Sequence, residues 1–259
     1  MLPSHGFQVT LCKQMLKSSK VLFFIKRTCP TNVSFTVNNC IIKPEPFVKL
    51  LGVTIDVNLN FNLHVSKICK KASAQIKAMM TLPKAIGLLG RKKIYDAFIK
   101  SNFNFCNIVW HMCSISDAKK IEGLQVRSLR FIFSDYESDY ESLLTYSNTE
   151  TLYLTRCKSI IKLVYDVLNK NCPEFLNELF SYHNTDYDLR DNHKLELPSF
   201  KTMKFGRNCL RYEGARLYNE VPIYMKTITD RNSFISSIKK WTGPSCTCGN
   251  CMLCVKNIL

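Results

Sequence analysis

From Asn58 to Met80 the apolar positions recur with the period of a helix. With Val65 at zero and about 100° per residue, Ile68, Cys69, Ala72, Ile76, Met79 and Met80 all fall within about 60° of it. Lys67, Lys70, Lys71 and Lys77 fall on the opposite side, so the pattern predicts a two-faced helix with a lysine ridge, stopped by Pro83 and Gly87. A second helix is expected from about Arg91, with Ile94, Ala97, Phe98 and Phe105 inward and Trp110 closing the same element. A third runs from Ala118 to Phe133, with Ile121, Leu124, Leu129 and Ile132 on one face and Lys119, Lys120, Arg127 and Arg130 as its basic residues. Leu152–Leu168 is a strongly periodic helix on Ile160, Ile161, Val164 and Leu168, and shorter helices are expected at Leu210–Glu220 and Ser233–Trp241.

Before Asn58 the period is two. Val21–Ile25 is a short apolar run, Val33–Val37 alternates, and Asn38-Asn39 supplies a turn into Cys40–Ile42, as in a hairpin. A further single strand is expected over Phe47–Ile55, containing Gly52. Residues 181–207 are polar and irregular and read as an extended loop. The fold class is therefore α+β, mainly α. It comprises a small β-containing segment (1–57), a basic helical segment (58–135), a helical and loop region (136–245) and a Cys-rich tail (246–259).

Charge changes the picture by its distribution. The net charge is +16, but residues 1–135 carry 20 Lys+Arg against 6 Asp+Glu (+14), whereas residues 136–259 carry 16 against 14 (+2). A polyanionic partner should meet the first half. Apolar residues at 46% and charged residues at 22% describe a globular chain. The 13 cysteines are an odd number, and Cys69, Cys106 and Cys157 sit singly in apolar runs without a signal peptide ahead of them. That usage points to reduced thiols in cytosol or nucleus and away from a secreted disulfide scaffold. The longest apolar run, Val21–Ile25, falls far short of the roughly 20 residues of a membrane span.

Several chemistries can be weighed on spacing. Asp135 and Asp139, four apart in DYESDYE, would share a helix face as a carboxylate pair, although such runs commonly solvate or cap. Cys246, Cys248, Cys251 and Cys254 are a candidate zinc set, yet all lie within nine residues, closer than the two separated pairs of a usual thiolate site. The five histidines form no metalloprotease-like spacing, and no nucleophile elbow or P-loop is present. His64 reads as a capping or junction residue and Asp56 as a turn residue. The lysine ridge and Arg91-Lys92-Lys93 suit sequence-independent phosphate contacts; otherwise they solvate a helix face.

Motif order adds a resemblance. His5–Lys13 (HGFQVTLCK) is similar to the segment following the catalytic strand of a reverse-transcriptase palm, with Thr10 where that family usually carries Asn. Val48–Asp56 (VKLLGVTID) resembles the primer grip, and Asp56, Leu59, Phe61 and His64 resemble the junction into the thumb. Lys92–Ile99, Phe105–Trp110, Leu124-Gln125-x-Arg127-x-Leu129-Arg130, Tyr187-x-Leu189-Arg190, Leu197-Pro198, Phe205-Gly206, Phe234 to Trp241 and the terminal cysteines follow in order. Together they resemble the C-terminal part of a non-LTR, LINE-like (jockey-type) retrotransposon reverse transcriptase: end of palm, thumb and C-terminal region.

That resemblance implies contact with RNA, DNA or an RNA–DNA hybrid through Lys13, Lys49, Gly52, Lys67, Lys70, Lys71, Lys77, Arg91, Lys92, Lys93, Arg127 and Arg130. The family's terminal cysteine motif is matched by Cys246, Cys248, Cys251 and Cys254, which stay a candidate zinc set or, failing that, an oxidation-prone tail. The family polymerises with Mg²⁺ ions held by an adjacent Asp pair. No Asp-Asp occurs in this sequence, and the pair would precede the segment matched by His5–Lys13, so the chain as it stands is expected not to polymerise. The alternative is a domesticated, non-enzymatic module that docks a protein partner through the helical second half, motivated by the apolar helix Leu152–Leu168, or binds metal through its tail.

Overall fold

The computed structural model describes residues 35–37, 40–42, 45–83, 85–183, 193–201 and 206–244. Lys13, the run Val21–Ile25, the motifs His5–Lys13 and Tyr187–Arg190, Phe205 and the four terminal cysteines lie outside the described residues. The chain divides between His64 and Val65 into two compact units.

In the first unit, β1 (Phe35–Val37) pairs antiparallel with β2 (Cys40–Ile42), Val37 opposite Cys40, which is the hairpin the alternation predicts. The expected single strand over Phe47–Ile55 is corrected. It is a second antiparallel hairpin, β3 (Phe47–Leu50) with β4 (Val53–Asp56). Leu51 and Gly52 have φ of 45° and 87°, and positive φ at both central residues is what a two-residue turn matched to strand twist demands. Gly52 therefore has a local reason to be glycine, because its backbone sign disfavours any side chain.

Asp56 ends β4 as the expected turn residue. Its carboxylate accepts from the amides of Asn58 (2.9 Å), Asn60 (3.3 Å) and Phe61 (2.8 Å), which holds the loop in which Leu59 and Phe61 take positive φ. His64 is buried and its Nδ1 accepts from the Thr54 amide at 3.3 Å, fitting the junction role.

The second unit is helical. Helix α1 (Asn62–Met80) buries Val65, Ile68, Ala72, Ile76 and Met79, the face the periodicity marks. Next, α2 (Leu88–Ile94) runs through a π-helical turn (Tyr95–Lys100) into α3 (Ser101–Asn104). Here the expected inward face is wrong. Tyr95, Ile99 and Phe103 are buried, while Ala97 and Phe98 are exposed. The wide turn closes its bonds one residue later than an α-turn, so the face that meets the core shifts along the chain. The helix also ends at Asn104, where Phe105 is extended and Cys106 left-handed, which leaves Phe105 exposed. Trp110 is fully buried outside the helix, its Nε1 donating to the Phe105 carbonyl at 3.0 Å.

Helix α4 (Ile115–Phe133) starts at Ser114, whose hydroxyl accepts from the Asp117 amide, and ends at left-handed Ser134. Ile121, Leu129 and Ile132 are buried as expected, with Leu124 half-buried. The acidic stretch beyond it contributes to an unforeseen helix, α5 (Tyr140–Ser147). Asp139 caps α5 by accepting from the Ser142 amide, and Asp135 accepts from the amides of Glu137 and Ser138, so the two share no helix face.

Helix α6 (Leu152–Leu168) matches its expected bounds and lies at the centre of the core, with Cys157, Ile160, Ile161 and Val164 fully buried. It packs against α7 (Leu210–Asn219), α9 (Arg231–Lys240) and a 3₁₀ turn at Glu174–Leu179; the short α8 (Ile223–Lys226), also unforeseen, lies against α9. Tyr165 stacks on Phe234 (centroids 3.9 Å apart, 12° between planes), and its hydroxyl lies 3.0 and 2.6 Å from the Ile228 and Thr229 carbonyls. The apolar face of α6 is thus consumed inside the chain's own core. The fold is α+β and mainly α. Among the described residues no helix is long and apolar enough to cross a membrane.

Candidate nucleic-acid interface

The basic residues fall into three environments. On α1, Lys67, Lys70, Lys71 and Lys77 are all exposed, opposite the buried face. The helix contains no acidic residue, and none occurs between Asp56 and Asp96. Lys70, Lys71 and Lys77 form no ion pair among the described residues. A one-signed row on a rigid helix is suited to tracking phosphates, since no internal carboxylate competes for the ammonium groups. In the other unit, Lys49 is exposed on β3 and Gly52 sits at the hairpin tip beside exposed Leu50 and Leu51.

The second group gathers about the C-terminal end of α4. Arg91 places its guanidinium 5.2 Å from the centre of the Phe131 ring, with Nη1 3.4 Å from Ser134 Oγ. Arg127 is exposed and Arg130 half-buried; with Gly123, Val126 and Tyr136 they line a cleft of about 290 Å³. Lys92 is half-buried and donates to the Ser147 carbonyl, so part of its hydrogen-bonding capacity serves packing; Lys93 is exposed. Nearer the start of α4, Lys119 is exposed and Lys120 pairs with Asp117 at 2.8 Å.

The third environment is buried, and sequence reading missed it. Lys158 pairs with Glu150 and donates to the Lys239 carbonyl at 2.8 Å. Arg156 is buried between the rings of Trp110 (5.2 Å) and Tyr153 (5.7 Å). Glu122, also buried, accepts from the amides of Leu152 (3.2 Å) and Tyr153 (2.7 Å) and from the Tyr140 hydroxyl (2.7 Å). Glu213 accepts from Arg216 at 2.6 and 2.8 Å, with His111 Nε2 at 3.8 Å. These charges were legible only as periodic interruptions of apolar faces, a signal that does not separate a buried ion from a solvated one.

Burial pushes the Cys69 thiol up to about 11 and the Cys157 thiol up to about 12, and burial holds His111 below the usual imidazole range. The thiol, not the thiolate, is then the form present at neutral pH. Among the described residues no group of three or more His, Cys, Asp or Glu could hold a metal ion.

One comparison with known proteins bears on this geometry. Over 120 residues, 45% of this chain, the sequence is 27% identical to the probable RNA-directed DNA polymerase from transposon X-element of Drosophila melanogaster. The chain is similar to a retrotransposon reverse transcriptase. The matched stretch covers 13% of that polymerase's length. No family model matches the chain, and no solved structure matches it.

Proposed function

We propose that this chain is the end of the palm (1–57), the thumb (58–135) and the C-terminal region of a jockey-type non-LTR reverse transcriptase, and that it binds nucleic acid without polymerising. The observation that carries the reading is the solvent face of α1, where four lysines share a helix that has no carboxylate and buries Val65, Ile68, Ala72, Ile76 and Met79 on its other face. Such a face meets the backbone of a template–primer duplex and ignores base identity. Each phosphate it neutralises releases condensed counterions, which makes affinity fall steeply with salt. An A-form-like hybrid suits it, since that duplex is recognised mainly through its backbone and shape. The absence of an Asp-Asp pair leaves the chain without the adjacent carboxylates that hold the two metal ions of nucleotidyl transfer. Burial of the apolar face of α6 counts against the alternative in which that helix docks a protein partner.

The test is fluorescence anisotropy of a labelled RNA–DNA hybrid across a salt series. Lys70→Glu with Lys71→Glu is expected to weaken binding at low salt by roughly 10- to 100-fold and to reduce the log–log salt slope by about 2, roughly one for each phosphate no longer neutralised. Binding that is negligible at low salt, or unaffected by the double reversal, would overturn the proposal.

A further inference from the structure

The cleft at the end of α4 has a chemistry that the α1 lysine ridge lacks. Arg127 and Arg130, three residues apart on α4, line it together with Gly123, Val126 and Tyr136. Neither arginine pairs with a carboxylate among the described residues, and the Nε of Arg130 is buried without a hydrogen-bond partner. Asp135, the nearby acid, forms no ion pair with them: hydrogen bonds from Ser138, and more weakly the Arg130 guanidinium, hold its carboxyl below the usual range, and its Oδ1 accepts from the amides of Glu137 (3.1 Å) and Ser138 (3.0 Å). That turn, begun by left-handed Ser134, brings Tyr136 back to the helix while leaving its ring 62% exposed. Tyr146, likewise 62% exposed and edge-on to Phe133, adds a second ring at the same end of α4.

An exposed tyrosine ring beside two guanidiniums that form no ion pair among the described residues fits one planar base joined to a phosphate. The volume, about 290 Å³, lies at the lower edge of the ~300–1,000 Å³ range of small-molecule sites, enough for one nucleotide and too little for a duplex segment. The geometry points to a site for a single unpaired nucleotide of an RNA or DNA strand, its base stacked on Tyr136 and its phosphate held by Arg127 and Arg130. Stacking of this kind is sequence-tolerant, because every base has a π-face. The inference rests on the nucleic-acid reading above but uses different residues from the α1 ridge.

The experiment compares a short labelled oligouridine, an abasic strand of the same length and a blunt RNA–DNA hybrid on the full chain. Tyr136→Ala is expected to weaken oligouridine binding by about 5- to 150-fold, the range for removing one base–aromatic stack, and to leave the hybrid within about 2-fold. Tyr136→Phe should retain binding, and the abasic strand should bind wild type about as weakly as oligouridine binds Tyr136→Ala. Equal weakening of oligouridine and hybrid, no weakening of either, or an abasic strand that binds as well as oligouridine would overturn the site. If Lys70→Glu with Lys71→Glu leaves hybrid binding intact while oligouridine still depends on Tyr136, the duplex reading fails and this one stands.

Discussion

Glu122→Ala is expected to destabilise the second unit by about 4 kcal/mol, read as a shift in the urea midpoint with an unchanged m-value. The N-terminal turn of a helix exposes amides with no partner inside the helix. In α6 those amides are closed from two directions: Thr151 Oγ1 accepts from Leu154 at 3.1 Å, and the Glu122 carboxylate accepts from Leu152 and Tyr153. The same carboxylate accepts from Tyr140, so one buried side chain on α4 fixes both α6 and the first turn of α5. Its removal strands two buried amides and leaves the Tyr140 hydroxyl to Gln125 Oε1 alone, at 2.9 Å. Buried hydrogen bonds to a charged group contribute roughly 1.5–3 kcal/mol each and are not additive, which sets the figure near 4. Glu122→Gln keeps an acceptor oxygen and should cost about half as much. A loss below about 1 kcal/mol in the alanine variant would show that the network is replaced by water at little cost.

Acid should act most strongly through Glu213. Burial alone would raise this carboxyl, but hydrogen bonds from Arg216, and His111 behind them, outweigh it and hold the group at about 2 against an ordinary 4.5. Because the folded value is the lower one, the stabilisation is complete above about pH 4.5 and is lost as pH falls through about 2. Over that window the loss is about 3 kcal/mol, at 1.36 kcal/mol per unit. His111 works in the same direction at higher pH: held neutral by burial, it begins to destabilise the fold as pH drops below about 6.5. Urea titrations of wild type and Glu213→Gln between pH 7 and 2 separate the two. The variant should lack the steep limb below pH 4.5 and keep the shallower one above it. An unchanged limb in Glu213→Gln would mean that other carboxylates govern acid unfolding.

The helices legible in the sequence were those whose period is long and uninterrupted. In α1 and α6 the inward residues recur over four or more turns and the buried faces follow; the bounds of α6 follow too, whereas α1 starts at Asn62, after the loop held by Asp56, and not at Asn58. What escaped depends on single backbone angles. Positive φ at Leu51 makes two strands where alternation indicates one, and leucine gives no turn signal. The basic interface divides in the same way. The α1 ridge is visible from periodicity, but Tyr136 reaches the α4 cleft only because Ser134 adopts a left-handed conformation, so an acidic run conceals an aromatic partner. Local pattern also does not show that Lys92 is tied to Ser147, a residue far along the chain.

The π turn at Tyr95–Lys100 acts as a phase shifter between Arg91-Lys92-Lys93 and the anchors Ile99 and Phe103. One residue of an α-helix subtends about 100°. Closing an ordinary α ladder through this turn with every residue kept would swing the basic triplet through about that angle relative to α3. Arg91 would then leave the Phe131 ring and Lys92 the Ser147 carbonyl, although neither residue had been changed. The azimuth of the positive charge at the end of α4 is thus set by backbone winding several residues away.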